Sequence, residues 1–140
     1  MVKLLYLRDI KNYLTKYKLG YSEIFIGDID TKLEKVMSIK PLNTGSAPNI
    51  SIGGRKNNAY EVQSIAILVH WNRKVEDTQE EAYKLYDLLS FKRNFKLSDR
   101  TYVHYLQPRD GEPKYVGKDD ASNIQEFVLE FYVYYSNLKQ

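Results

Sequence analysis

The stretch from Tyr60 to Phe91 constrains the fold most, because it joins a strand pattern to a helix pattern. Residues 60–71 are largely apolar and alternate in the way that predicts a strand. The two-residue period places four of them on one face: Ile65, Ile67, Val69 and Trp71. The opposite face carries Val62, Ala66, Leu68 and His70. Because the middle of the strand has no polar side, the sequence predicts a central strand covered on both faces.

Residues 78–91 have the pattern of an amphipathic helix. Thr78 and Glu81 have capping-box spacing, in which a hydroxyl and a carboxylate bind the first backbone N–H groups of a helix. An apolar stripe follows at helical spacing: Ala82, Leu85, Tyr86 and Leu89. This arrangement predicts a core formed by a sheet and a covering helix. We expect six side chains to be buried in it: Ile67, Trp71, Leu85, Leu89, Phe127 and Phe131.

Shorter elements complete one predicted α+β domain over residues 1–140, a mostly antiparallel sheet covered by an N-terminal helix and a central helix. The N-terminal helix is predicted over residues 3–18, from Leu4, Leu7, Ile10, Leu14 and Tyr17 at helical spacing, with Gly20 as its stop. Strands or extended segments are predicted over 23–26, 36–39, 101–107 and 115–120. Lys92, Arg93 and Lys96 are interpreted as a basic connection. Residues 42–58, with a brief pairing at 50–52, have the composition of a loop that becomes ordered against a neighbour.

Residues 124–135 form the longest predicted strand. One face is apolar: Phe127, Leu129, Phe131, Val133 and Tyr135. The other is half polar and half aromatic: Glu126, Val128, Glu130, Tyr132 and Tyr134. At about 3.3 Å per residue, this strand should cross the whole domain. Its mixed face is typical of a partly covered or partner-facing surface.

Composition excludes some classes of function and leaves one question open. The chain has 140 residues and no cysteine, which excludes thiol catalysis, thiolate metal sites and disulfides. No apolar run approaches the roughly 20 residues of a membrane span, so we expect no membrane partner. The net charge of +3 is too mild to indicate a nucleic-acid-binding protein by itself. The 13 tyrosines favour either a protein interface or an ordinary strand surface, and both interpretations remain open here.

Residues with catalytic or metal-binding side chains do not form a recognisable constellation. His70 and His104 lack the close spacing of metal ligands and are interpreted as structural. Asp119 and Asp120 lie where aspartate commonly accepts hydrogen bonds from turn N–H groups. We therefore expect no enzyme activity, no metal and no cofactor.

Residues 113–120 and 126–134 carry a resemblance to a known family. They read Pro-Lys-Tyr-Val-Gly-Lys-Asp-Asp, then Glu-Phe-Val-Leu-Glu-Phe-Tyr-Val-Tyr. A proline, a Leu/Val-Gly pair and an acidic turn before a last aromatic strand resemble phage minor capsid or tail terminator proteins. The order of predicted elements is similar along most of the chain. One departure is residues 121–123, where the family pattern has a glycine-containing turn.

This resemblance implies a structural virion protein that forms a ring, usually a hexamer, on the head-proximal end of a tail tube. The ring would end tube growth and dock the neck, in a particle assembled in the bacterial cytoplasm. Partners would be further copies of the chain, the tail tube protein and a neck or connector protein, with DNA passing through the lumen without sequence specificity. Residues 42–58 and the mixed face of the long strand are candidates for the two ring surfaces. Candidate partner-binding residues are Arg55, Lys56, Asn57, Asn58, Arg73, Lys74, Asp119, Asp120, Tyr132 and Tyr134.

Three alternatives remain open from the sequence. A neck or head-tail connector protein would share the same virion location. A nucleic-acid-binding module would use the basic residues Lys92, Arg93, Lys96 and Arg100. A small hydrolase would need a site that the sequence pattern does not reveal.

Overall fold

The described part of the chain, residues 4–42 and 60–138 of this computed structural model, forms two helices and seven strands. The helices are α1 (Leu7–Thr15) and α2 (Val75–Leu89). The strands are β1 (Glu23–Ile26), β2 (Val36–Pro41), β3 (Glu61–His70), β4 (Arg93–Ser98), β5 (Thr101–Pro108), β6 (Lys114–Lys118) and β7 (Gln125–Asn137). This is the α+β domain that the sequence predicts.

The strands form one curled sheet around β7. The order is β1-β2-β3-β7-β5-β4, and β6 also pairs with β7. All neighbours are antiparallel except β1 and β2, which are parallel. Along one edge of β7 lies β3, and along the other β6 pairs with its first residues and β5 with its last ones. The last predicted strand is therefore the centre of the sheet as well as its longest member, with 13 residues.

Both helices pack against the same face of this sheet, which we call the helix-covered face. Ile10 and Leu14 of α1 and Leu85 of α2 belong to the same apolar cluster as Ile67 and Phe131. All six side chains predicted for the core are buried, between 0 and 8% exposed. Burial of one such leucine or phenylalanine side chain stabilises the fold by about 1.5–3 kcal/mol. The predicted core is confirmed.

The opposite face of the sheet differs from the prediction of a fully covered central strand. Ala66 and Leu68 on β3 are only partly buried, and neither described helix packs on their side. The residues between β1 and β2 cross one end of this face, because His70 and Ser38 hydrogen-bond to the carbonyls of Thr31 and Gly27 there. Within residues 4–42 and 60–138, one face is therefore closed by helices and only part of the other is covered.

The predicted capping box at the start of α2 is wrong. The helix begins at Val75, so Thr78 lies inside its first turn and donates its hydroxyl to the Lys74 carbonyl at 3.0 Å. Asn72 organises the start instead. Its side-chain oxygen accepts the Lys74 N–H at 2.9 Å, and its amide donates to Asp77 at 2.9 Å.

Two further boundaries differ from the sequence prediction. Helix α1 is shorter than residues 3–18, since Tyr6 has extended backbone angles and Lys18 has a φ of 52°. Arg93 and Lys96 belong to strand β4, not to a connection. Within β4, Phe95 and Leu97 pack on the core cluster while the charged residues stay exposed. The prediction for residues 42–58, including 50–52, falls outside the described residues except at Leu42.

Candidate interaction surface

The partly open side of the sheet carries a group of tyrosines that we call the tyrosine face. Its members come from the start of β3, from β5 and from β7: Tyr60, Tyr102, Tyr105, Tyr132 and Tyr134. Register places Tyr105 opposite Tyr134, and Val62 of β3 on the other side of Tyr134. The strands bring these rings together because alternate residues of neighbouring strands share one side of a sheet.

Four of the five rings, those of Tyr60, Tyr102, Tyr105 and Tyr134, belong to a connected layer. The Tyr134 ring lies 5.5 Å from Tyr60 and 5.8 Å from Tyr105, measured between centroids. His104 joins the same layer, with its ring 5.0 Å from Tyr102 and 6.2 Å from Tyr60. Centroid separations of this size are those of favourable aromatic pairs. The layer is therefore pre-formed within one subunit.

Hydrogen bonds fix the polar ends of this layer. The Tyr134 hydroxyl donates to Gln107 Oε1 at 2.6 Å, and His104 Nε2 lies 2.7 Å from the Ser136 hydroxyl. Of the two predicted contact residues on β7, Tyr134 is only 5% exposed and supports the layer from within. Tyr132 is partly exposed and presents its ring to the surface. Large rings with polar tips, held in place, are typical of protein-binding surfaces.

A buried ion pair lies at the end of this side of the sheet, where residues 27–35 cross it. His70 is fully buried, with Nδ1 2.8 Å from Glu126 Oε2 and Nε2 3.1 Å from the Thr31 carbonyl. Burial lowers the pKa of His70, but the hydrogen bonds to Glu126 and Thr31 outweigh it and raise the pKa overall. This histidine is structural, as expected, and joins β3, β7 and the β1–β2 connection.

Four of the candidate partner-binding residues, Arg73, Lys74, Asp119 and Asp120, lie near this end of the sheet. Arg73 donates from Nε to the Ser122 carbonyl at 3.1 Å, which joins the β3–α2 connection to the acidic turn. Asp119 uses one carboxylate oxygen to accept the N–H groups of Ser122 and Ala121 at 3.0 and 2.9 Å. These hydrogen bonds lower the pKa of Asp119, the one from Ser122 most. Asp119 therefore shapes the turn, as predicted, while Lys74 and Asp120 are exposed to solvent.

The structure describes the turn that follows Asp119 and Asp120, but not the candidate residues of the predicted loop. Asn123 has a φ of 62°, so an asparagine takes the left-handed conformation for which the family pattern has glycine. Arg55, Lys56, Asn57 and Asn58 lie outside the described residues. Tyr132 and Tyr134 lie in the second half of β7, whereas Asp119 and Asp120 precede that strand. The described candidates therefore fall into two groups, one at the end of the sheet and one on the tyrosine face.

The four cations of the nucleic-acid alternative are largely held in contacts within the chain. Lys92 Nζ lies 5.3–5.9 Å from the ring centroids of Tyr13, Tyr17 and Phe95. A hydrogen bond to Tyr17 contributes most to raising the pKa of Lys92. Arg100 donates to Asp9 at 2.9 Å and stacks on Tyr6 at 3.6 Å.

Arg93 and Lys96 complete that set. Arg93 stacks on Tyr105 of the tyrosine face at 4.1 Å, and Lys96 lies 4.0 Å from Asp99. The ring cluster around Lys92 was not predicted from the sequence, although Tyr13 and Tyr17 are four residues apart within the predicted helix of residues 3–18. Phe95 could not be assigned to this cluster from the sequence, because strand β4 was not predicted.

The described residues contain no group of three or more histidine, aspartate or glutamate side chains placed to hold a metal ion. No helix within residues 4–42 and 60–138 is long and apolar enough to cross a membrane. No known family model matches this chain, and no curated protein matches it significantly. The interaction surface must therefore be interpreted from its own geometry.

Proposed function

We propose that this protein is a structural component of a phage tail or tail-like particle, which forms a ring on the head-proximal end of the tail tube. The ring ends tube polymerisation and docks the neck. The observation that supports this proposal most is the tyrosine face, a layer of contacting rings on one side of a sheet whose other side is closed by helices. A partly exposed aromatic layer whose rings already contact one another offers a protein partner a large contact area with few side chains left to order.

The arrangement of charges supports a protein partner for this layer more than a nucleic acid. Arg93 stacks on Tyr105, while Arg109 and Lys114 on the same side lie 3.5 and 3.6 Å from Glu130. A surface that binds phosphates needs cations available to replace counterions. Here the cations beside the tyrosines are paired with carboxylates or rings, so contact between protein surfaces suits the face better.

Termination follows from having two different surfaces on one ring. A tail tube grows because each ring of subunits presents a face that recruits the next ring. A terminator matches that face on one side and presents a different face on the other, so addition stops there. Many weak contacts around a ring act together, because once one subunit docks its neighbours bind at high effective concentration.

The decisive experiment is deletion of the gene followed by electron microscopy of the particles. Overlong tails without heads are the expected result, because polymerisation then has no stop. Tails of normal length that fail to join heads would instead assign the protein to the neck or connector. Normal infectious particles would contradict both functions.

A further inference from the structure

An exposed groove on the helix-covered side runs between the first half of α2 and strand β6. Its helix wall is the stripe Val75, Gln79 and Tyr83, at i, i+4 and i+8. Its other wall and floor are Glu112, Pro113, Lys114, Tyr115 and Phe127, and the one cation among them, Lys114, lies 3.1 Å from Asp110. Val75 is 42% exposed and Tyr115 is 54% exposed. Apolar side chains left this open along a groove indicate a surface for a partner.

Hydrogen bonds hold the two walls of this groove at a fixed separation. Tyr83 donates to Glu112 Oε2 at 3.1 Å, and Tyr86 donates to the Asp110 carbonyl at 3.0 Å. Both bonds join α2 to the turn that precedes β6. The groove is therefore formed within one subunit by contacts between α2 and the turn before β6.

The rim of the groove is strongly acidic. Glu76, Glu80 and Asp87 follow helical spacing on the stripe next to the groove wall, and all three are exposed. Helix α2 has five acidic residues and one basic residue, Lys84, whose Nζ lies 3.5 Å from Glu80. An occupant of the groove must therefore be basic and must carry exposed apolar side chains.

Helix α1, together with Leu4 before it, has those properties. Arg8 is exposed and Lys11 is partly exposed on α1, and the exposed Lys16 and Lys18 follow at its C-terminal end. Its one acidic residue, Asp9, is buried and bound to Arg100. Leu4, just before the helix, is 42% exposed. The outer surface of α1 is thus basic where the groove rim is acidic.

We propose that the groove between α2 and β6 of one copy binds the outer surface of α1 of the next copy. Complementary charge fixes the orientation of this contact, and Leu4 supplies the apolar side chain. Because the two surfaces differ, each copy can bind one neighbour on each side, which is the contact that closes a ring. This inference rests on the ring-forming part of the proposed function, and it leaves the tyrosine face for the contact with the tail tube.

Charge exchange tests the proposal. One variant carries Glu76→Lys and Glu80→Lys, and the second carries Arg8→Glu and Lys11→Glu. The control, Glu23→Lys with Asp28→Lys, makes the same change in charge as the first variant, at exposed positions in and near β1. Association is measured by analytical ultracentrifugation over a concentration series. Each test variant alone should weaken self-association at least about tenfold, while the control keeps it. An equimolar mixture of the two test variants should restore it, because a reversed groove then meets a reversed helix.

The outcomes of this experiment distinguish the groove contact from the proposed formation of a ring. If the wild-type chain self-associates and both test variants match it, the groove contact is wrong and the ring remains. If the wild-type chain stays monomeric at every concentration, the ring itself is overturned, and the groove contact with it. Val75→Ser changes the groove without changing charge and should also weaken association. If the charge variants unfold by circular dichroism, unchanged association of Val75→Ser overturns the proposal.

Discussion

The two sides of strand β7 are made by alternate residues of one segment, yet they have different surroundings. Phe127, Leu129 and Phe131 point to the helix-covered face and are 1–5% exposed. Val128, Glu130 and Tyr132 point to the other side and remain partly exposed. The first set contacts α2 and the core, whereas among the described residues no helix packs on the second set, which has strands and Arg109 beside it.

We propose that the residues that stabilise the fold lie on one side of β7 and that the residues that bind a partner lie on the other. Apolar side chains without polar atoms gain most when water is fully excluded, and the helices exclude it. Tyrosine gives a large contact area while its hydroxyl tolerates water, so it can stand at a surface until a partner arrives. We therefore expect changes on the helix-covered face to lower the free energy of unfolding, and changes on the tyrosine face to lower binding.

The largest effect should come from Leu89→Ala on the helix-covered face. Leu89 is 4% exposed and packs in the core cluster, so its loss leaves a cavity. The free energy of unfolding should fall by about 2–5 kcal/mol, measured by urea denaturation. Leu33→Ala, at a position 41% exposed, is the control and should stay within about 0.5 kcal/mol. A loss as small as the control's would contradict the packing described here.

An intermediate effect that depends on pH should come from Glu126→Gln. The fold raises the pKa of His70, so its protonation stabilises the folded state at pH values below the pKa of the unfolded chain, about 6.5. That contribution is lost as pH rises through the higher pKa of the folded state. The free energy of unfolding of the wild type should exceed that of the variant by about 1.5–3 kcal/mol near pH 5.5, and by clearly less near pH 8.5.

Urea denaturation at several pH values measures this difference. The matched control is Glu130→Gln, because Glu130 is similarly covered and pairs with Arg109 and Lys114, which keep their charge throughout. Its difference from wild type should stay constant across the range. A Glu126→Gln difference that is equally constant would show that His70 does not change charge there.

The smallest effect on stability should come from Tyr132→Ala on the tyrosine face. The cost should be about 1 kcal/mol or less, because the side chain is only partly buried in cross-strand contacts. Binding to purified tail tubes, the proposed partner, should weaken at least about tenfold in a co-sedimentation assay. Tyr132→Phe keeps the ring and should retain most of the binding. Full binding by Tyr132→Ala would remove this residue from the proposed surface.

Sequence predicted the fold best where period and burial agree. The alternation of β3 and β7 specifies which residues face the core, because a strand has only two sides. Strand β4 was missed since Arg93, Asn94 and Lys96 obscure the short alternation of Phe95 and Leu97. The capping box failed because Thr78 makes its hydrogen bond backwards within the helix, a choice that local spacing does not reveal.

The candidate surface was predictable only in part. Tyr132 and Tyr134 could be assigned to one side of β7 by counting residues. Their different exposure depends on Tyr60 and Tyr105, which come from distant parts of the chain. The contacts that hold Lys92 and Arg100 likewise join residues far apart in the sequence, so the sequence did not show that these cations are held within the chain.

The central position of β7 has a consequence for synthesis in the cell. A ribosome makes the chain from its N-terminus, so β7 is the last of the described strands to appear, although β3, β5 and β6 all pair with it. Until residue 137 has been made, the earlier strands expose edges and apolar side chains that have no partner yet. We therefore expect a fragment that stops before residue 125 not to fold, because it lacks the strand with which β3, β5 and β6 pair.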